Sequence, residues 1–293
     1  MVESFFNYLQ FEKRVSKHTL TAYTTDLTQF TGFLDSTFPE FTPEQADYGV
    51  IRAWIIQLVE SGAKATSVNR KIASLRTFYK FLLREEAITK NPMTKIRVLK
   101  TQKRLPSFVQ EKEMAALLDN VEFGTTHAGL RDNLILELFY ATGIRLSELI
   151  TLKESQIDLR NNSIKVLGKR NKERVIPFPG SIITKIKAYQ QARNKEVELK
   201  KHGFLFVTDK GEPCYPMMVY RIVKQYLNIN SNSDKKSPHV LRHTYATHLL
   251  NKGAEINAVK DLLGHSSLAA TQVYTHNSIE KIKKTYDQAH PKA

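Results

Sequence analysis

Leu20, Tyr23, Leu27, Phe30 and Leu34 recur at spacings of three, four, three and four residues, and this rhythm constrains the first third of the chain more than any other feature. Side chains at that period line one stripe of an α-helix, so the segment must bury the stripe against other helices. Ser16 stands where an N-cap belongs. Val50, Ile51, Trp54 and Leu58 mark a later helix, and Val68, Ile72, Leu75, Tyr79 and Leu82 the next. With one more near the N-terminus, residues 1–98 predict a domain built from helices alone.

The last of these helices carries Lys64, Arg70, Lys71, Arg76, Lys80 and Arg84 off its apolar stripe, with almost no acid between Lys64 and Arg84. A solvated helix face is the plain reading of such a run; a footprint for a nucleic-acid backbone is the functional one. The whole chain favours the second, since 44 Lys and Arg stand against 29 Asp and Glu, a formal charge of +15. Such an excess suits a polyanionic partner, nucleic acid ahead of an acidic membrane.

From Lys90 to Ser107 the apolar period stops, and Pro92 and Pro106 bracket a basic, irregular stretch. Residues 99–106, with Lys100, Lys103 and Arg104, are expected to link two domains and to lie along DNA. The second domain spans 107–293, opening with helices near Gln110–Asp119 and Arg131–Tyr140 and a short one from Leu146 to Leu152. Strand-like S-I-K-V-L (163–167) and E-R-V-I-P-F (173–178) flank G-K-R-N-K, predicting a hairpin, after which helices return. The fold class expected is mainly α with a small β-sheet (α+β): a helical N-terminal domain and a mixed second domain. A single cysteine, Cys214, excludes an internal disulfide framework and suits a reducing compartment. No apolar run reaches membrane-spanning length and the start M-V-E-S-F-F-N is unlike a signal peptide, so the expected location is the cytoplasm, with no membrane partner.

The chemistry concentrates between Ser237 and Tyr274. Ser237 and Pro238 suit a helix start, Leu241, Tyr245, His248 and Leu249 its buried face, and Gly253 its left-handed end. His239, Arg242 and Ala246 share another face, so an imidazole and a guanidinium converge there. A second helix from about Glu255 to Leu263 ends at Gly264, which presents His265; Tyr274 follows nine residues later. Each residue alone has a bland explanation. Together with Arg145 in A-T-G-I-R-L-S-E-L, they form a set able to hold a phosphodiester and supply an oxygen nucleophile without a metal or other cofactor.

The motifs A-T-G-I-R-L-S-E-L, G-K-R-N-K-E-R, H-V-L-R-H, L-L-G-H-S and Y-T-H, with S-x-x-T-L-x-A-Y-x-x-D-L at 16–27 and G-A-K-A-T-S at 62–67, resemble the tyrosine recombinase (phage integrase) family. Within it the chain is similar to the Xer recombinases that resolve chromosome dimers, and the similarity spans nearly the whole chain. The resemblance implies a SAM-like core-binding domain followed by a catalytic domain with a C-terminal helix that docks into another subunit. It implies Tyr274 as nucleophile forming a 3′-phosphotyrosyl bond, Arg145 and Arg242 as clamps on the non-bridging oxygens, and His239 as general acid/base. His265 would hydrogen-bond the phosphate, Lys169 would protonate the leaving 5′-oxygen, and Glu148 would orient Arg145, a plain salt bridge being the alternative. Arg170 stands where related Xer proteins commonly have glycine, which bears on how the Lys169 turn flexes. The implied partners are a duplex recombination site with paired half-sites and a self or paralogous recombinase in a tetrameric synapse, with a DNA translocase as a further candidate.

Three rivals use overlapping signals. A type IB topoisomerase shares the chemistry, but the stripe Ile279, Ile282 and Tyr286 after the nucleophile suits docking between subunits. His239 and His243 have zinc-ligand spacing, yet H-E-x-x-H is absent and Arg242 lies between them. A DNA-binding protein without catalysis would need neither Tyr274 nor Lys169, and no Walker motif supports a motor.

Overall fold

The computed structural model describes residues 1–101, 107–168, 173–198, 202–231, 233, 235–264 and 288–291. The chain divides into two compact units, Met1–Arg104 and Leu105–Ala293.

The first unit is helical. Helix α1 (Val2–Asn7) runs into a π-helical turn (Tyr8–Glu12), followed by α2 (Lys17–Thr37), α3 (Tyr48–Glu60) and α4 (Ala65–Arg84). Ser16 caps α2, its Oγ accepting from the Thr19 amide at 3.2 Å, and Asp47 caps α3 through the Val50 amide at 2.9 Å. These satisfy amide donors that a helix start leaves unpaired. The periodic residues Leu27, Phe30, Leu34, Ile51, Trp54, Ile72, Leu75, Tyr79 and Leu82 are buried, while Leu20 and Tyr23 are half-buried. Phe30 and Trp54 meet at a ring separation of 5.0 Å, and Phe5 of α1 sits 5.3 Å from Phe78. Each such burial contributes about 1.5–3 kcal/mol, so the helices hold one another rather than standing on propensity.

The stretch expected to be irregular is ordered at its start. Asn91 caps a 3₁₀ turn (Pro92–Lys95), Met93 and Ile96 enter the helical core, and Asn69 of α4 bonds both the amide and the carbonyl of Leu99, at 2.7 and 2.9 Å. A turn-length segment can pin itself this way because Met93 and Ile96 bring apolar surface that α3 and α4 cover.

The second unit surrounds α6 (His127–Thr142), whose Leu134, Ile135, Leu136, Leu138, Phe139, Tyr140 and Ala141 are all buried. A helix apolar on every side has to be central. It packs against α8 (Ser181–Glu196) and α10 (Pro238–Asn251), with α5 (Glu111–Asp119) and α9 (Pro216–Asn230) completing the core. Helix α6 starts four residues before the expected Arg131 because Thr126 caps it, accepting from the Gly129 amide at 3.3 Å. The short α7 (Leu146–Ile150) leads to a three-stranded antiparallel sheet in the order β1-β2-β3. Strands β2 (Ser163–Leu167) and β3 (Glu173–Pro177), the two strands expected for a hairpin, pair antiparallel from Ser163–Pro177 to Leu167–Glu173. The two-residue β1 (Ile157–Asp158) escapes sequence reading because so short a run has no period. Helix α11 (Ile256–Leu263) follows α10, Gly253 between them has φ +88°, and Ala289 lies in the small core of Tyr245, Leu249, Val259, Leu262 and Leu263.

Candidate active site

Two left-handed glycines shape the site. Gly143 (φ +58°) ends α6 and turns the chain so that Arg145 stands at the start of α7. A Cβ at Gly143 would lie 2.5 Å from the Tyr245 ring, so this position excludes side chains twice over, by backbone angle and by space. Gly264 (φ +61°) ends α11, and its missing Cβ leaves room for Arg174, whose Cδ would be 2.9 Å away.

Three arginines from three elements then grip successive carbonyls at the end of α11. Arg174 Nε donates to Leu262 O at 3.1 Å, Arg242 Nη2 donates to Leu263 O, and Arg145 Nη2 donates to Gly264 O at 2.7 Å. Arg242 Nη1 also donates to the Gly143 carbonyl. The carbonyl end of a helix attracts cations, so the guanidiniums satisfy acceptors that the helix itself cannot. Glu148 is the carboxylate that faces them. Its Oε1 accepts from Arg145 Nη1 and Arg174 Nη1, both at 2.7 Å, and its Oε2 from Arg174 Nη2 and the Arg145 amide, both at 2.8 Å.

Among the described residues, three cations against one carboxylate leave the cluster positive. Burial first, then the charges of Arg145 and Arg174, pull the Arg242 pKa down from its usual 12.5 to about 10. It stays cationic at neutral pH, and its hydrogen-bond partners among the described residues are carbonyls rather than carboxylates. Burial would raise Glu148; the bonds from Arg174 and then Arg145 outweigh it and hold the carboxyl at about 2. Arg242 is buried, whereas the Arg145 side chain keeps 29% exposure and His239, one turn before Arg242 on α10, is exposed. Among the described residues, such an arrangement can attract an anion from the side where Arg145 and His239 are exposed.

Of the residues singled out in the sequence, Arg145, Glu148 and Arg242 are brought together. Lys169, His265 and Tyr274 lie outside the described residues, as does the stripe Ile279, Ile282 and Tyr286. His248 is buried against Tyr140, with Nδ1 and the tyrosine hydroxyl 3.0 Å apart, the packing role expected for it. Cys214 is buried and its thiol is pushed up to about 12 by that burial, so it offers no competing nucleophile.

The basic helix needs one correction. Lys71 is buried, with Nζ 2.9 Å from Asp26 Oδ1 and bonded to Gln29, so it points into the helical core and does not contact DNA. The acid that neutralises it comes from α2, which a scan along α4 alone does not show. Arg70 shares Asp26 (Oδ2, 2.5 Å) but keeps 47% of its side chain exposed. Arg76 is half-buried and ties α4 to the Ile96 carbonyl at 2.5 Å. Lys64, Lys80 and Lys100 are exposed; Lys103 and Arg104 lie outside the described residues.

Two features were missed in the sequence. Arg174 is 5% exposed on β3; the signal was an arginine at an inward-facing strand position. A cavity of about 770 Å³ is lined by Tyr220, Lys224, Lys235, Lys236 and Ser237, where α9 and the segment before α10 meet. Its lysines, Lys224 and the adjacent Lys235 and Lys236, carry no motif.

Residues 107–281 match the profile described as Phage integrase family, and residues 2–86 match Phage integrase, N-terminal SAM-like domain. The chain belongs to the phage integrase family. Among its relatives is a tyrosine recombinase XerC of Staphylococcus carnosus, 40% identical over 291 residues, covering 99% of this chain and 97% of that protein. The XerC of Chlorobaculum parvum is 36% identical over 317 residues, covering 100% of this chain and 94% of that protein. Site-specific recombination of the Xer type is therefore the activity of this phage integrase family member. Its fold is shared with the XerH site-specific recombinase bound to palindromic difH in a post-cleavage complex, at TM-score 0.73 and 20% identity over 97% of this chain and 82% of that one. Among the described residues of this recombinase, no helix is long and apolar enough to cross a membrane.

Proposed function

We propose that the positive cluster of Arg145 and Arg242 receives the scissile phosphate and that Tyr274 attacks it. The observation that carries this reading is the excess of guanidinium over carboxylate around Glu148, built before any anion arrives. An unpaired, partly buried cation gains most where negative charge grows, and in phosphoryl transfer that is on the non-bridging oxygens.

The steps balance without an external energy source. The Tyr274 hydroxyl oxygen bonds to phosphorus and its proton passes to His239. The bond from phosphorus to the 5′-oxygen breaks, and Lys169 supplies the proton that oxygen needs. His265, next in sequence after Gly264, holds a phosphate oxygen. The 3′-phosphotyrosyl ester conserves the bond, so a 5′-hydroxyl from the other duplex rejoins the strand by the reverse step, without metal or ATP. Glu148 keeps Arg145 aligned.

Residues 1–98 act as the DNA-binding domain, with Lys64, Arg70, Lys80 and Lys100 on phosphates, joined by the linker 99–106 to the catalytic domain 107–293. The lysine-lined cavity beside α10 adds a further backbone contact. The protein works in the cytoplasm on paired half-sites, four protomers holding two duplexes, with itself or a paralogue as partner. The Xer-type relatives support a role in resolving chromosome dimers at cell division, with a DNA translocase as a candidate activator.

The test is covalent capture of radiolabelled half-site DNA in EDTA. Tyr274→Phe is expected to bind DNA and form no adduct; an adduct at wild-type level would sink the assignment. Lys169→Ala should regain cleavage on a 5′-bridging phosphorothiolate, whose sulfur leaves without a proton. Rescue of Lys172→Ala in its place would move the acid to that residue.

A further inference from the structure

Arg174 is the arginine of the cluster whose three side-chain nitrogens are all bonded within the protein. It is 5% exposed, both Nη atoms bond the two oxygens of Glu148 at 2.7 and 2.8 Å, and Nε bonds Leu262 O at 3.1 Å. It comes from β3, just after the Lys169–Lys172 connection in sequence. Its partners lie on α7, beside Arg145, and at the end of α11, immediately before His265. One side chain therefore joins the strand that follows Lys169, the helix that Arg145 opens and the helix end that precedes His265. Gly264 is shaped around it, since any Cβ there would crowd Arg174 Cδ, Nε and Nη1 at 2.9–3.2 Å.

We infer that Arg174 is a positioning residue for strand cleavage: through Glu148 it sets the Arg145 guanidinium, and through Leu262 it sets the end of α11 that leads to His265. This rests on the reading of Arg145 and Arg242 as the phosphate clamp. A planar, bidentate fork is needed, because only that geometry holds both oxygens of Glu148 while a third donor reaches the helix end. Lysine keeps the charge and loses the fork.

The experiment compares full-length Arg174→Lys and Arg174→Ala with wild type and Tyr274→Phe, using one labelled half-site duplex. Single-turnover cleavage at saturating DNA and the half-site Kd are read separately, alongside the melting temperature. Both Arg174 variants are expected to slow cleavage on the order of 100-fold, as small misplacements of reacting groups do. The Kd is expected to stay within about twofold of wild type, because a positioning group acts on the chemical step. In a double-mutant cycle, Glu148→Gln added to Arg174→Lys should slow cleavage little further, since the two act as one unit. Wild-type cleavage by Arg174→Lys, with Tyr274→Phe inert, would overturn this role and leave the phosphate-site reading standing. Cleavage by Tyr274→Phe would instead bring down the reading beneath it. If both Arg174 variants are unfolded at the assay temperature, the residue serves stability and the positioning role is rejected.

Discussion

Glu148 and Arg174 meet in a two-pronged ion pair, 2.7 and 2.8 Å, with side chains only 4% and 5% exposed. A pair this dry is a poor source of net stability, but breaking it strands a charge. The carboxylate that Arg174 holds also accepts from Arg145.

The pair sets a pH dependence. Glu148 titrates at about 2 when folded against 4.5 ordinarily, after the bonds from Arg174 and Arg145 overcome the opposing effect of burial. A carboxyl with a depressed folded pKa stabilises the fold above its unfolded value, and that contribution is lost as pH falls from about 4.5 toward 2. The size is on the order of 3 kcal/mol. Melting temperatures from pH 6 to pH 2 should fall steeply in that window for wild type. Glu148→Gln should start lower by about 3–5 kcal/mol, from uncompensated buried arginines, and show a shallower acid slope. Parallel slopes would rule this origin out.

The two left-handed glycines should respond differently to alanine. At Gly143 the new Cβ meets the Tyr245 ring at 2.5 Å, inside a packed core, and the φ of +58° adds about 1–2 kcal/mol of strain. Gly143→Ala is expected to lower stability by about 3 kcal/mol or more, given overpacking on top of that strain. At Gly264 the new Cβ meets Arg174 Cδ at 2.9 Å, a milder contact than at Gly143, so the backbone strain remains while a small shift of the Arg174 side chain, with its bonds to Glu148 kept, relieves the rest. Gly264→Ala should therefore melt closer to wild type yet cleave more slowly. Calorimetry with single-turnover cleavage separates the two; equal losses of stability would contradict the distinction.

In the helical unit, Asp26 is fully buried and accepts from Lys71, Arg70 and Ser74, the last at 2.7 Å. Asp26→Asn should cost about 3–5 kcal/mol, because it leaves the Lys71 ammonium buried without a counter-charge. Lys71→Met should leave the salt dependence of DNA binding unchanged, whereas Lys80→Ala should reduce its log–log slope by about 1. A reduced slope for Lys71→Met would restore that lysine to the DNA surface.

Local rules accounted for most elements. The three-and-four spacing foretold α2, α3 and α4, the Ser16 cap and the pairing of strands β2 and β3 emerged as expected, and Arg145 and Arg242 were recognisable from their motifs. Boundaries shifted where a cap decided them, as Thr126 did for α6. What periodicity cannot convey is what stands opposite a face. Lys71 read as a surface cation until Asp26, on another helix, was placed against it. Arg174 was one residue of an expected strand until Glu148 and Leu262 were placed against its three nitrogens.

The sequence by itself determined which residues share a face, where helices start and stop, and which charged side chains are available for catalysis, because those follow from backbone geometry within a few residues. Only the tertiary structure decided which of those charges is spent on the fold and which is left for DNA. Arg145 and the Gly264 carbonyl are 119 residues apart. Whether a guanidinium is satisfied or still short of anions is fixed by acceptors that arrive from that distance, when α11 packs its carbonyl end against β3, α7 and α10.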